Sequence, residues 1–180
     1  MNSRLIIFVL LLIMGMMGGY FYISRYGMHP PFEAPSEGMS LKIGEEAPNL
    51  ELVDLEGKKH QIKDFRGKVL LINFWATWCP PCLIEMPSLS AAYRKLSDRG
   101  FEVLAINLDE NPKPVQEFVE EQKPSFKIFA DPQGRTAEKY LVYGLPYTIL
   151  VDRQGRIRHK IFGGHEWDKG EAFEKIKSLL

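Results

Sequence analysis

The sequence predicts an α/β fold: a mixed central sheet flanked by helices on both faces. Three observations predict it. "KVLLINFWA" (Lys68 to Ala76) and "FEVLAINLD" (Phe101 to Asp109) are near-continuous apolar runs of the kind found in central strands buried on both faces. Segments with helical spacing lie between the runs, which is the pattern of βαβ crossovers. The chain then closes with two strands joined by a turn at Gln154-Gly155 and a last helix, so antiparallel neighbours join the parallel ones.

Taken in order, the amino end comes first. Leu5 through Ile23, "LIIFVLLLIMGMMGGYFYI", carries no charge, and its length is close to the ~20 residues an α-helix needs to cross a bilayer. Tyr20, Phe21 and Tyr22 stand where an interfacial aromatic belt forms. Residues 1–23 are therefore expected to be a single transmembrane anchor. The alternative is a cleaved signal peptide, whose apolar region is usually shorter and ends at small residues. Either route carries the rest of the chain outside the cytoplasm, where disulfides persist. No cysteine follows the run to take a lipid. Residues 24–46 are rich in Pro, Gly, Ser and Glu without a sustained period, and are expected to be a flexible tether. Residues 47–180 then form the folded domain.

Within that domain, "NLELVDLEGKKHQI" reads as a hairpin turning at Glu56-Gly57. After the first apolar run, Met86, Leu89, Tyr93 and Leu96 recur at helical spacing, with Pro87 expected to kink the helix or shift its first turn and Gly100 to cap its end. "KPVQEFVEEQ" is a short helix opening near Pro112 or Pro114. "FKIFAD" is a strand, "GRTAEKYLV" a short helix, "YTILVD" and "RIRHKIFG" a strand pair, and "DKGEAFEKIKSLL" a helix with Asp168 as its expected N-cap.

Composition narrows the function. Hydrophobic residues are 45% and charged residues 26%, as in a globular protein. Lys+Arg and Asp+Glu both number 23, and no basic stripe with interleaved aromatics argues for nucleic acid. The only two cysteines, Cys79 and Cys82, sit in "INFWATWCPPCLIEMP" with Pro80 and Pro81 between them. As a staple the pair closes a tiny loop and restrains the unfolded chain least. As a zinc site it lacks a second cysteine pair, and His29, His60, His159 and His165 do not stand at ligand spacing. As a reactive dithiol it fits: a helix starting near Pro80 leaves Cys79 at the N-terminus, where free N–H groups and the macrodipole favour a thiolate. Cys79 is then expected to be exposed and attacking, and Cys82, one turn on, more buried and resolving.

"NFWATWCPPC" followed by "GLPYTILVD" resembles the thioredoxin superfamily. "CPPCLIEMP" and the helix inserted after "AINLDENP" are similar to its membrane-tethered TlpA/ResA/CcmG(DsbE)-like branch, over about Gly44 to Leu180. The resemblance implies a thioredoxin-like sheet with an added N-terminal hairpin and an inserted helix. It implies that Pro146 is a cis-proline facing the dithiol and keeping metal away from it. Leu145 would pair with an incoming polypeptide, and Trp78 and Pro80 would flank the site. No cofactor is implied beyond the Cys79–Cys82 disulfide, and no metal.

Two departures from thioredoxin stand out. Asn73 occupies the place of thioredoxin's buried aspartate, and Ala105 that of its lysine. Neither moves a proton near pH 7, yet Cys82 must lose one to resolve a mixed disulfide. Glu85, three residues after Cys82 on the same helical face, matches an acid of the ResA-like branch and is the expected substitute. Burial and a neighbouring thiolate would raise its pKa; a solvated acid at a helix N-terminus is the plainer alternative.

The expected function is a membrane-anchored thiol-disulfide oxidoreductase on the extracytoplasmic side of a bacterial cell membrane. The resemblance implies a reductase, re-reduced by a DsbD/CcdA-type membrane electron donor, whose client is a disulfide-containing polypeptide such as apocytochrome c. "GLPYT", where CcmG-like members often read "GAPET", leaves a broader TlpA-like reductase of other secreted proteins open. A peroxiredoxin-type peroxidase lacks its PxxxTxxC signature here, and a Sco-like copper module would use a longer cysteine spacing with a distant histidine such as His165.

Overall fold

The computed structural model describes residues 12–17 and 41–180. Residues 12–17 are helical; the rest of the expected anchor over 1–23, and the tether up to residue 40, lie outside the described residues. Among the described residues no helix is long and apolar enough to cross a membrane.

Among the described residues seven strands form one sheet. They are β1 (Glu51–Asp54), β2 (Lys59–Gln61), β3 (Val69–Trp75), β4 (Phe101–Asn107), β5 (Lys127–Ala130), β6 (Tyr147–Val151) and β7 (Ile157–Phe162), in the order β2-β1-β5-β4-β3-β6-β7. β3, β4 and β5 are parallel, and the other pairings are antiparallel. The helices are α1 (Pro80–Leu96), α2 (Pro112–Gln122), α3 (Arg135–Lys139) and α4 (Gly170–Lys177).

The sheet divides the core in two because successive side chains of a strand point to opposite faces. On β3, Val69, Leu71 and Trp75 pack with Leu89 of α1, Val115 of α2 and Ile176 of α4. Leu70, Ile72 and Phe74 pack on the other face with Ile62, Ala137 of α3 and Tyr140. All seven β3 residues are buried, as the apolar run requires. Only Asn73 interrupts the run, and it lies opposite Ala105 of β4.

Two local expectations are corrected. The folded unit starts before residue 47: Leu41 is buried, Gly44 N–H donates to the Ile157 carbonyl at 2.7 Å, and Glu46 bridges Arg156. Part of the expected tether is thus pinned to the β6–β7 end of the sheet. α1 continues through Pro87, whose ring offers no N–H to the Leu83 carbonyl one turn back. Asp168 does not cap α4: Lys169 holds that position, and Asp168 accepts from Lys95 of α1 at 3.2 Å. Gly100 takes a left-handed conformation, φ 85°, after a 3-10 turn over Ser97–Arg99 that ends α1. The hairpin turn carries Gly57 at φ 81°, and its corner is held by Asp54, which accepts from the Glu56 and Lys58 N–H groups.

Candidate active site

β3 delivers the chain to the carboxyl edge of the parallel strands, where α/β folds gather their chemistry. Ala76, Thr77 and Trp78 follow, and Cys79 is the N-cap of α1 in extended conformation. Pro80 and Pro81 occupy the first helical turn, where a missing N–H costs nothing. The Cys79 carbonyl accepts from Cys82 N–H at 3.0 Å and Leu83 N–H at 3.2 Å. Cys79 and Cys82 are joined in a disulfide.

The expectation of an exposed Cys79 is corrected. Only 5% of it is accessible, against none of Cys82. Both sulfurs belong to the core beneath α1, while Trp78 (66% exposed) and Pro80 carry the surface beside them.

The approach to the dithiol is clamped from β4. Asp109, itself buried, accepts from Thr77 N–H at 2.8 Å, from the Thr77 hydroxyl at 2.6 Å and from Asn107 Nδ2 at 2.7 Å. Leu108 N–H donates to the Trp75 carbonyl, extending the parallel pairing one residue past the end of β4.

Glu85 lies one turn beyond Cys82 on the buried face of α1, with 2% of its surface accessible. Three N–H groups converge on its carboxylate. Asn73 Nδ2 donates to Oε1 at 2.8 Å; Trp167 Nε1 and the His165 backbone N–H donate to Oε2 at 2.9 and 3.1 Å. Loss of solvent pushes the Glu85 pKa above its ordinary 4.5, while the hydrogen bonds from Trp167, Asn73 and His165 and the charge of His165 oppose that rise without cancelling it. The solvated-acid alternative therefore does not describe this carboxyl.

The loop that closes over Glu85 follows β7. Trp167 is fully buried, its N–H donates to Ser88 Oγ at 3.1 Å, and Ser88 in turn donates to the Glu85 carbonyl. Trp167, the His165 backbone, Thr148 and Asp109 were not identifiable as site residues from sequence. "GGHEWD" has no period, and its contacts to α1 join positions about eighty residues apart.

The Leu145–Pro146 peptide is cis. The Pro146 carbonyl accepts from Gly163 N–H at 2.9 Å, and the next residue, Gly164, sits so close to α1 that a Cβ there would stand 3.2 Å from the Pro81 carbonyl oxygen. The cis-proline turn, the loop after β7 and the dithiol helix thus form one continuous rim. Leu145 packs on the core cluster holding both cysteines. Tyr143 and Phe162 stand exposed along this rim, 64% and 66% accessible. Of the residues singled out in sequence, Cys79, Cys82, Glu85 and Leu145 enter or face the same buried layer, Pro146 ties into the rim, and Trp78 and Pro80 lie on the surface.

Among the described residues no group of three His, Cys, Asp or Glu side chains is placed to hold a metal ion. What the arrangement can do is exchange disulfides: a dithiol at a helix N-terminus, a buried acid one turn away, and an exposed rim with apolar side chains.

Comparison with known proteins agrees with this chemistry. The AhpC/TSA family matches residues 43–160. The chain is 38% identical over 144 residues to the thiol-disulfide oxidoreductase ResA of Bacillus cereus (strain ATCC 10987 / NRS 248), covering 80% of this chain and 82% of that protein. Among solved structures it is similar to a Chlorobium tepidum protein described as a thiol:disulfide interchange protein DsbE, with TM-score 0.71 and 33% identity over 77% of this chain and 97% of that one. It shares its fold with StoA from Bacillus subtilis, with TM-score 0.61 and 23% identity over 72% of this chain and 95% of that one.

Proposed function

Because this chain belongs to the AhpC/TSA family of thioredoxin-fold proteins and is a thiol-disulfide oxidoreductase of ResA/DsbE type, we propose that it is a membrane-tethered protein-disulfide reductase working outside the cytoplasm. The observation that carries the chemistry is the Cys79–Cys82 pair capping α1 with the buried carboxyl of Glu85 one turn behind it. The uncharged stretch over residues 5–23 supports the tether.

In the reducing direction, the Cys79 thiolate attacks a disulfide sulfur of the client polypeptide. A mixed disulfide forms, and the client's other sulfur leaves as a thiolate that takes a proton. Cys82 then gives its proton to the Glu85 carboxylate and attacks Cys79 Sγ. The second client sulfur leaves, and the Glu85 proton neutralises it. Two electrons have passed from the dithiol to the client, leaving the Cys79–Cys82 disulfide. The pair is its own redox group. Leu145 offers its backbone to the client beside the cis-proline, and the exposed side chains of Trp78, Tyr143 and Phe162 offer it apolar surface.

The proposed client is an apocytochrome c whose haem-binding cysteines must be reduced. The proposed source of electrons is a DsbD/CcdA-type membrane donor. A general reductase of other secreted thiol proteins uses the same geometry and differs only in the client. The peroxidase reading is not favoured, since Thr77 spends its hydroxyl on Asp109.

Trapping tests the proposal. Cys82→Ala expressed in intact cells accumulates a mixed disulfide through Cys79, and mass spectrometry of the trapped species names the client. A fully reduced Cys79 with no trapped polypeptide counts against a protein substrate; a trapped protein other than an apocytochrome selects the general reductase.

A further inference from the structure

Glu85 is surrounded almost wholly by groups that only donate. The indole N–H of Trp167 and the backbone N–H of His165 occupy Oε2, and neither can accept a hydrogen bond. This suits an ionised carboxylate, which is acceptor-only, and gives a protonated one nowhere on that side to place its O–H. On the Oε1 side the partner is the Asn73 amide, which has both a donor end and an acceptor end. Its Nδ2 is shared between Glu85 Oε1 at 2.8 Å and Thr148 Oγ1 at 3.0 Å. Its Oδ1 is buried without a partner, an unusual cost for a polar atom in a fully enclosed side chain.

We infer that Asn73 is the positioning residue that lets Glu85 hold a proton: its side-chain amide turns over, from donating through Nδ2 to the carboxylate to accepting the carboxylic O–H through Oδ1. The inference rests on Glu85 serving as the acid–base of the exchange reaction. With the amide turned, the Glu85 O–H and the Thr148 hydroxyl both donate to Oδ1, whose two lone pairs accommodate them, while Nδ2 takes the place Oδ1 held, so the one unmet position passes from an acceptor to a donor and the turn follows only when Glu85 carries a proton to donate. No atom is gained or lost other than the proton carried by Glu85. The remaining groups facing this carboxyl do not offer the same exchange. The loop after β7 contributes the ring of His165, whose charge favours the ionised form. From one turn before Glu85, α1 contributes Cys82, which carries no proton while the disulfide is intact. β3 and β6 contribute only the uncharged Asn73 and Thr148.

This accounts for an asparagine at a place where an aliphatic side chain would bury at lower cost. An aspartate there would put a second carboxylate against Glu85 and raise the pKa of one of the two. Asparagine supplies either polarity without a charge.

The test is an NMR titration of the full chain in detergent micelles, isotopically labelled, with the disulfide intact. The Glu85 carboxyl carbon and the Asn73 side-chain amide are followed together through the pH range. The expected result is that both change with one midpoint. In Glu85→Gln the Asn73 amide is expected at its low-pH position at every pH, because the glutamine Nε2 donates to Oδ1 permanently. A titrating Glu85 carbon with an unmoved Asn73 amide overturns the inference and leaves the acid–base reading standing. An Asn73 amide that keeps its high-pH position in Glu85→Gln overturns it too. The acid–base reading is tested separately: disulfide exchange by Glu85→Gln as fast as in the parent protein, at every pH, removes it whatever Asn73 does.

Discussion

The indole Nε1–H of Trp167 donates to Glu85 Oε2 at 2.9 Å across 82 residues of sequence, joining the loop after β7 to the dithiol helix inside the core. That contact favours the ionised form, against the desolvation that raises the pKa of this buried acid. Trp167→Phe keeps most of the ring and removes the donor. The Glu85 pKa is then expected to rise further, and stability above the titration to fall by about 1–3 kcal/mol, the cost of a buried partner left unmet. Carboxyl-carbon NMR and urea unfolding measure the two effects. A Glu85 midpoint that stays where it was would show that the indole does not act on the carboxylate.

The sign of the pH dependence follows from the same group. Glu85 titrates higher in the folded protein than its ordinary 4.5. Between those two values the folded state binds more protons than the unfolded state, so stability falls as pH rises through the window and is level above it. Glu85→Gln has no such titration. The difference in unfolding free energy between the two proteins is expected to shift in favour of the glutamine variant as pH rises through that window. A difference that does not vary with pH would contradict the raised pKa.

Asp109 holds the loop that leads into Cys79. Asp109→Ala strands the Thr77 N–H and hydroxyl and the Asn107 amide, all donors to it. Stability is expected to fall by roughly 2–3 kcal/mol, with the disulfide still formed. Disulfide exchange with a model peptide is expected to slow, because Cys79 loses its fixed approach. Denaturant unfolding and stopped-flow exchange check both, and an unchanged unfolding midpoint would rule out the clamp.

Two glycines on the rim are expected to respond differently to alanine. At Gly144 a Cβ would meet the Phe162 ring at 2.8 Å, but that ring is exposed and swings aside, so stability is expected to stay within about 0.5 kcal/mol. At Gly164 the Cβ meets the Pro81 carbonyl oxygen at 3.2 Å. That atom is helix backbone beside the dithiol, and overpacking it is expected to cost about 1–3 kcal/mol and to alter exchange as well. Equal unfolding midpoints for the two variants would show that the loop after β7 yields as easily as the phenylalanine ring.

Local patterning was enough for the elements whose reasons are local. The runs around Leu70 and Val103 are apolar on both sides of the strand, so they had to be central, and they are. Pro80 and Pro81 start a helix wherever they stand at its first turn, and Cys79 caps it. The errors arise where a distant part of the chain overrides the local pattern. Asp168 looks like a helix cap until Lys95, from another helix, claims it. Leu41 looks like tether until the β6–β7 hairpin covers it. Cys79 looked exposed because a helix N-terminus usually is, but the bonded pair packs into the layer beneath α1.

By itself, then, the sequence determined the succession of strands and helices along the chain, the dithiol at a helix start and the presence of an acid one turn beyond it. These depend on spacings of a few residues, which the backbone converts directly into geometry. The tertiary structure alone decided what that acid is. Glu85 would be an ordinary surface carboxylate on an isolated helix. It becomes a buried one because β3 brings Asn73 beneath it and the loop after β7 folds Trp167 and His165 over it. Desolvation and donor geometry are properties of the packed layer, and no short stretch of the chain contains them.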